Sequence, residues 1–429
     1  MENRSKWMLY GIVLIMGLRI STYFTLFPDS VAMTQLVKTG LRVALTGIVY
    51  LMQKNMAAKY RSHQPEYENF TPLLLYAAYL LLGIISLFWT SSASYSMLQL
   101  SMIIEALVFS WFFSKLLVVY NAASDDHARF AFVFGRATML ISLAFIIGLL
   151  ANPDLFYRQT HGGEVSRLGG FIINPNELGM LGVLGAVMAY VELLRKRPAG
   201  VNLLVMVSSV AVLLLTQSRS SLGAFLLVTG IYVLKSRNVK LQIASVIGAI
   251  LVIPVLVQTI ILKQGDMEEV MSMTGRLPFW KDLIADGFTQ RPLLGFGFMR
   301  IAEGEYFDSI HAYSAKMTHN TFIQVLLNLG LTGSFICLLQ MVATTFVISR
   351  CRDADLKNLA VMMLIPVIIN SSTEFGIFGE SNYGIQFYQL IILFFVVRKK
   401  TSPIPPECTA KENKANNIPI RPLSAPQHA

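Results

Sequence analysis

The chain has 429 residues, of which 54% are hydrophobic and only 14% are charged, and its mean hydropathy is +0.56. A soluble domain of this length needs more polar surface, so the composition excludes a soluble globular protein and indicates a protein of the lipid bilayer. A net charge of +10 would suggest nucleic-acid binding in a soluble protein. In a membrane protein basic residues set the topology, so we expect no nucleic-acid partner.

The N-terminal segment has basic residues before an apolar run, as a signal peptide does. It lacks a small-residue cleavage site, and its apolar run continues towards Phe27, so we predict a retained first helix. A spanning helix needs roughly 20 apolar residues, and the apolar runs predict an all-α polytopic fold with about 12 transmembrane helices. The runs lie at about 7–27, 31–53, 70–89, 97–119, 130–150, 174–194, 201–216, 219–234, 241–262, 320–347, 358–371 and 384–397.

Basic residues are concentrated in alternate loops. If the N-terminus is inside, the inner loops hold clusters such as Arg195-Lys196-Arg197 and Arg398-Lys399-Lys400, whereas the short outer loops FPDS, TSSASYS and NSSTEFGIFGESNYG contain no Lys or Arg. Basic residues near helix ends resist translocation. The pattern therefore predicts that both termini are cytoplasmic.

Two outer segments, 151–173 and 263–319, are long enough to hold a site. The second contains apolar residues at helical spacing, at Leu277, Trp280, Leu283, Ile284 and Phe288. This pattern predicts an amphipathic helix on the outer membrane interface, with a lid packed on the bundle as the alternative. Residues 401–429 are rich in Pro, Asn and Lys without apolar periodicity, so we predict a disordered cytoplasmic tail after a membrane domain at 1–400.

Two arginines on the outer side run against the topological bias. Arg219 lies in the short turn TQSRSS, where a cation contributes nothing to topology, and a guanidinium suits bidentate recognition of phosphate. Arg276 follows a glycine in the long loop. The structural alternatives are an arginine that reaches lipid headgroups for Arg219 and an ordinary loop arginine for Arg276.

A histidine marks the point where the chain re-enters the membrane. His319 begins HNTFIQVLLNLGLTG, and an imidazole at a membrane surface can act as a base or a proton donor. A structural hydrogen bond is the alternative.

Four charges fall inside predicted helices, at Arg19, Lys38, Arg42 and Glu105. Because an isolated charge at that depth is costly, we expect Glu105 to pair with Lys38 or Arg42. These charges serve either as a structural clamp or as a polar route for an anionic headgroup.

Four segments occur in the order typical of the O-antigen ligase/polymerase superfamily, which the chain resembles over roughly 165–340. They are GGFIINPNELGMLG, LLLTQSRSSLGAFLL, TGRLPFWKDLIADGFTQRPLLGFGF and THNTFIQVLLNLGLTGSF. These bacterial enzymes act on polysaccharides carried on undecaprenyl diphosphate.

The resemblance implies a metal-independent, inverting glycosyltransferase of the bacterial inner membrane, without a cofactor, whose site faces outwards. It implies that Arg219 and Arg276 bind the donor diphosphate and stabilise its growing charge. His319 would then orient or deprotonate the acceptor hydroxyl. The partners would be an undecaprenyl-diphosphate-linked glycan, an acceptor glycan or glycolipid, and the bilayer.

The resemblance leaves several reactions open. A ligase passes the glycan to a lipid A-core sugar, a polymerase passes it to another lipid-linked repeat unit, and a third reaction glycosylates a protein. We favour the ligase because the long loop is compact and there is one main outer site. A lipid-linked sugar flippase is the alternative from another class, although transporters place polar residues near the midplane of repeated halves and this chain has no evident repeat.

Overall fold

The structure is a computed structural model that describes residues 2–25, 30–60, 65–90, 92–123, 130–160, 165–258, 276–298, 318–374 and 376–399. Most of the long loop predicted at 263–319 and the whole tail predicted at 401–429 lie outside the described residues. Helices dominate the described chain, so the prediction of a mainly α-helical fold is confirmed.

The α-helices of the described residues make up most of the bundle. In chain order they are α1 (Glu2–Ser21), α2 (Val31–Lys59), α3 (Thr71–Ile85), α4 (Ala93–Ala123), α5 (Phe130–Ala151), α6 (Pro153–Phe156), α7 (Pro175–Leu194), α8 (Ala199–Thr216), α9 (Arg219–Ser236), α10 (Val239–Leu256), α11 (Arg276–Leu283), α12 (Thr321–Arg350), α13 (Ala354–Ser371) and α14 (Tyr383–Val396). Four short strands are β1 (Pro65–Tyr67), β2 (Tyr157–Thr160), β3 (Val165–Leu168) and β4 (Val397–Lys399).

Each of the twelve predicted apolar runs coincides with a helix, but fewer helices meet the length and composition of a membrane span. Among the described residues, seven helices do so: α3 with its 3-10 extension, α4, α5, α7, α8, α12 and α13. The apolar parts of α1, α10 and α14 are shorter, at Trp7–Ser21, Val239–Leu251 and Tyr383–Val396. The chain is thus a multi-pass membrane protein, and the count of twelve spans stays a prediction.

Helix α7 occupies the centre of the bundle, and 16 of its 20 residues are buried. Three glycines make this possible. A Cβ atom added at Gly179 would lie 2.8 Å from Oγ of Ser221. One added at Gly182 would lie 2.8 Å from the carbonyl oxygen of Ser209, and one at Gly185 would lie 2.2 Å from Oγ of the same serine. Small residues at such spacing let helices approach closely in a membrane. The N-terminus of α7 therefore lies deep among the other helices.

The strands form two antiparallel pairs at opposite ends of the bundle. β2 and β3 pair with Arg158 opposite Arg167, just before α7 begins. β1 and β4 pair with Glu66 opposite Arg398, which ties the end of α14 to the connection between α2 and α3.

The amphipathic segment of the long loop packs on protein. α11 is followed by a π-helical turn at Ile284–Phe288, and Leu283, which is 1% exposed, lies against Leu327 of α12. Trp280 is also buried, and its indole N–H donates to the carbonyl of Thr318 (2.6 Å). The predicted helix exists, but its apolar face covers the start of α12, which corresponds to the lid alternative.

Three of the four charges inside the helices, Arg19, Arg42 and Glu105, form one largely buried cluster. Arg19 donates to both carboxylate oxygens of Glu105 at 2.8 Å, and Nε of Arg42 donates to Oε2 at 3.1 Å. The predicted pair of Glu105 and Arg42 is confirmed. The second partner is Arg19 rather than Lys38, because α1 places Arg19 against α4.

Candidate functional site

One buried carboxylate connects the residues that the sequence singled out. Glu374 lies in the segment between α13 and α14 and is 4% exposed. Its Oε1 accepts from Arg276 at 2.9 Å and from the side-chain amide of Asn176 at 2.7 Å. Its Oε2 lies 2.7 Å from Nδ1 of His319. Two of the predicted site residues, Arg276 and His319, therefore share one carboxylate.

Local sequence explains why His319 is held at this point. It has a φ of 49°, a left-handed conformation in which histidine is more common than most residues. The next residue, Asn320, caps α12 by accepting from the N–H groups of Phe322 (2.9 Å) and Ile323 (3.2 Å). The cap satisfies N–H groups that a helix start leaves without partners. The imidazole is thus fixed to the first turn of a long helix.

The segment that carries Glu374 is tied to the same turn. Asn320 donates to the carbonyl of Ser372 at 3.1 Å, and Thr321 Oγ donates to the carbonyl of Glu374 at 3.3 Å. Thr321 Oγ also accepts from the N–H of Gly376 at 3.0 Å. Arg276 donates to the carbonyl of Thr373 as well. These contacts fix the carboxylate relative to the histidine.

A further arginine reaches the site through Asn176. The guanidinium of Arg167, on β3, donates to Oδ1 of Asn176 at 2.6 Å and to the carbonyl of Thr216 at 2.9 Å. Asn176 stands in the first turn of α7, where Asn174 is the N-cap residue and Pro175 follows it. Proline suits this position because its missing N–H would have no helical partner.

Arg219, the third predicted site residue, begins α9 directly after its N-cap residue Ser218. It lies three residues after Thr216, whose carbonyl accepts from Arg167, and its charge acts on Arg167 together with that of Arg276. The structure therefore places Arg219 on the same side of the bundle as Arg276 and His319, the other two predicted site residues.

Charges around the site perturb two groups. Burial, together with the nearby guanidiniums of Arg276 and Arg219, lowers the pKa of Arg167 to about 10 against the opposing effect of Glu374. Burial alone would raise the pKa of Glu374, but the hydrogen bond and charge of His319 and the charge of Arg276 outweigh burial and hold this pKa below its ordinary value. Glu374 is therefore a carboxylate at neutral pH.

The arrangement gives each group a chemical capacity. The carboxylate of Glu374 accepts a hydrogen bond from the Nδ1–H group of His319, so Nε2 of the neutral ring keeps its lone pair. The imidazole is 32% exposed and can meet a substrate. The guanidiniums can bind a group with several negative oxygens.

Three contributing residues were not singled out from the sequence: Arg167, Asn176 and Glu374. Arg167 did carry a signal, since it is a basic residue in an outer loop. The cluster of Arg19, Arg42 and Glu105 lies beside this site and reaches the same segment through Ser381, whose hydroxyl is 3.3 Å from Arg42. Lys38 has no described hydrogen bond to the site residues.

Residues 203–338 match the family model described as O-antigen ligase. The matched stretch contains Arg219, Arg276 and His319, while Arg167, Asn176 and Glu374 lie outside it. No curated protein matches the chain. The match supports the resemblance seen in the sequence motifs: this stretch of the chain is similar to the O-antigen ligase family.

Proposed function

We propose that the protein transfers a glycan from undecaprenyl diphosphate to a sugar hydroxyl of an acceptor glycolipid, on the outer face of the bacterial inner membrane. The observation that carries the proposal is the contact of Glu374 with both His319 and Arg276. This contact places the imidazole of His319, a base that can accept a hydroxyl proton, next to the guanidinium of Arg276, a cation that can bind a phosphate. The family match supports the same class of reaction.

The transfer is a single displacement in this proposal. The acceptor oxygen attacks the anomeric carbon, and its proton passes to Nε2 of His319. The bond between the anomeric carbon and the diphosphate oxygen breaks, and its electron pair leaves with undecaprenyl diphosphate. The configuration at the anomeric carbon is inverted, and neither a metal nor a cofactor takes part.

The arginines have separate tasks. Arg219 and Arg276 bind the diphosphate and stabilise the charge that grows on it as the bond breaks. Arg167 donates to Asn176, which in turn donates to Glu374. Arg167 is therefore a positioning residue rather than a ligand of the donor.

The test uses purified full-length protein with a synthetic undecaprenyl-diphosphate glycan. One reaction contains a lipid A-core glycolipid, another contains only further lipid-linked repeat units, and a third contains an acceptor protein. We expect product on the glycolipid, with inverted linkage by NMR and without loss in EDTA. Longer lipid-linked chains would identify a polymerase. Movement of the glycan across vesicles without any transfer would identify a transporter and reject the proposal.

A further inference from the structure

A second polar cavity lies at the end of the bundle opposite Glu374. Its volume is about 440 Å³, within the range of about 300–1,000 Å³ that is typical of small-molecule sites. It lies where α4, α7 and α14 end and where α5 and α13 begin. The basic loops predict that this end faces the cytoplasm.

The inner wall of the cavity is apolar. Leu117, Phe130, Leu359 and Phe394 line it and belong to four different helices of the bundle. Two polar atoms interrupt this wall, Oγ of Ser114 and Oδ1 of Asn121, and both are buried without a hydrogen-bond partner among the described residues. Ser114 is 1% exposed. A buried polar atom without a partner is uncommon in proteins and indicates a missing ligand or water.

The rim of the cavity carries charges of both signs. Arg398 lines it, and the contact described for its guanidinium is a weak one, with Sγ of Cys351 at 3.9 Å. Asp355 is half exposed, and its Oδ2 lies 2.9 Å from Nε of Arg195 in an ion pair. Asp353 caps α13 beside it. A ligand with both an anionic and a cationic group complements the charges of this rim.

We propose that this cavity binds a zwitterionic phospholipid of the inner leaflet, with an ammonium headgroup as in phosphatidylethanolamine. The phosphate accepts from Arg398, and the ammonium donates to Asp355 or Asp353. Part of an acyl chain lies against the apolar wall, and an ester oxygen or headgroup donor reaches Ser114 and Asn121. Basic pockets between transmembrane helices at the cytoplasmic side bind anionic headgroups, and the aspartates of this rim add a site for a cation.

Charge separates this lipid from its alternatives. A singly anionic phospholipid could form an ion pair with Arg398, but it has no cationic group that could contact Asp353 or Asp355. A soluble phosphate compound would leave the apolar wall uncovered, and burial of apolar surface is the larger share of such binding. The proposal therefore requires the zwitterionic headgroup and the chain together.

Native mass spectrometry of the full-length protein in detergent tests whether the cavity binds a zwitterionic phospholipid. The probes are phosphatidylethanolamine, phosphatidylglycerol and glycerophosphoethanolamine. We expect phosphatidylethanolamine to bind most tightly, and Arg398→Gln to weaken it by roughly tenfold or more, the loss expected for a hydrogen bond between charged groups. Arg352→Gln is the matched control, because Arg352 is exposed at the same end but does not line the cavity.

A second variant keeps the test independent of Arg398. Asp355→Asn removes the partner of the ammonium, so phosphatidylethanolamine should lose its advantage over phosphatidylglycerol. Equal binding of the two lipids to the wild type, equal loss in Arg352→Gln, or binding of glycerophosphoethanolamine as tight as that of the lipid would each overturn the proposal.

Discussion

The imidazole of His319 and the carboxylate of Glu374 are 2.7 Å apart between Nδ1 and Oε2, although 55 residues separate them in the chain. The same carboxylate holds Arg276 at 2.9 Å. Proton transfer and charge stabilisation, which the proposed reaction needs at the same moment, are therefore connected through one buried group.

Replacement of His319 by alanine should separate donor binding from transfer. A base acts in the transfer step, so we expect transfer to fall by about 10²–10⁴-fold while binding of the lipid-linked donor is retained. Both quantities are measured on purified protein at matched amounts, with Thr289→Ala, an exposed position in the turn after α11, as the control. Near wild-type transfer by His319→Ala would show that the histidine is only structural.

Arg219→Lys tests whether a fork of N–H donors is needed. Lysine keeps the positive charge but cannot bind two phosphate oxygens in one plane. We expect transfer to fall by about 10²-fold, with a smaller loss of donor binding. Arg237→Lys, at the opposite end of α9, is the control. If both lysine variants behave alike, Arg219 supplies charge only or serves lipid headgroups.

Glu374→Gln should change the dependence of stability on pH. Because the pKa of Glu374 is lower in the folded protein than its ordinary value, the unfolded chain binds more protons between the two pKa values. The stabilisation is complete above the ordinary glutamate pKa of about 4.3 and is lost as the pH falls through the folded pKa. We therefore expect the wild type to exceed Glu374→Gln in thermal stability above about pH 5. The difference should shrink in more acidic buffer, and a difference that grows there would contradict the assignment.

Glu105→Gln should destabilise the protein strongly. The carboxylate has two buried guanidiniums as partners, and Arg19 is completely buried. Removal of one member of a buried ion pair typically costs about 3–5 kcal/mol. Thermal unfolding in detergent measures the loss. Ser101→Ala, on an exposed face of α4, is the control and should unfold like the wild type.

Cysteine labelling in intact cells tests the topology. In a variant without Cys337, Cys351 and Cys408, a cysteine at Thr289 should react with an impermeant maleimide, and one at Gly200 should be protected. Both positions are exposed in the structure, so accessibility within the fold does not limit the reaction. The reverse pattern would invert the orientation and place Glu374 on the cytoplasmic side.

Each of the twelve apolar runs coincides with a helix of the described residues, because apolar length is a local property of the chain. Depth alone predicted Lys38 or Arg42 as the partner of Glu105, since charges inside a bundle need partners, and the structure has Arg42. This reasoning missed Arg19, because depth does not tell which neighbouring helix presents a charge. For α11, the apolar spacing predicted one buried face, but periodicity does not specify whether lipid or α12 covers that face.

The sequence pointed to candidate site residues only where a single residue departed from the topological pattern or marked a helix boundary. Arg219, Arg276 and His319 stood out against the topological bias or at a helix boundary. Glu374 is one polar residue in a polar outer loop, and its role depends on Asn176, which precedes it by 198 positions. A relationship of that kind exists only after the helices have packed, so no local pattern could reveal it.

The buried cluster also sets an order for assembly during synthesis. Arg19 donates to Gln386 at 2.8 Å, across 367 residues of chain, and to Glu105 on a helix made much earlier. When α1 and α2 enter the membrane, Tyr23 can already contact both guanidiniums, but their carboxylate partner arrives only with α4. The arrangement closes when α14 brings Gln386 to Arg19, so the first helix completes its contacts last. A nascent chain that ends before α14 would expose an unfinished polar surface within the membrane.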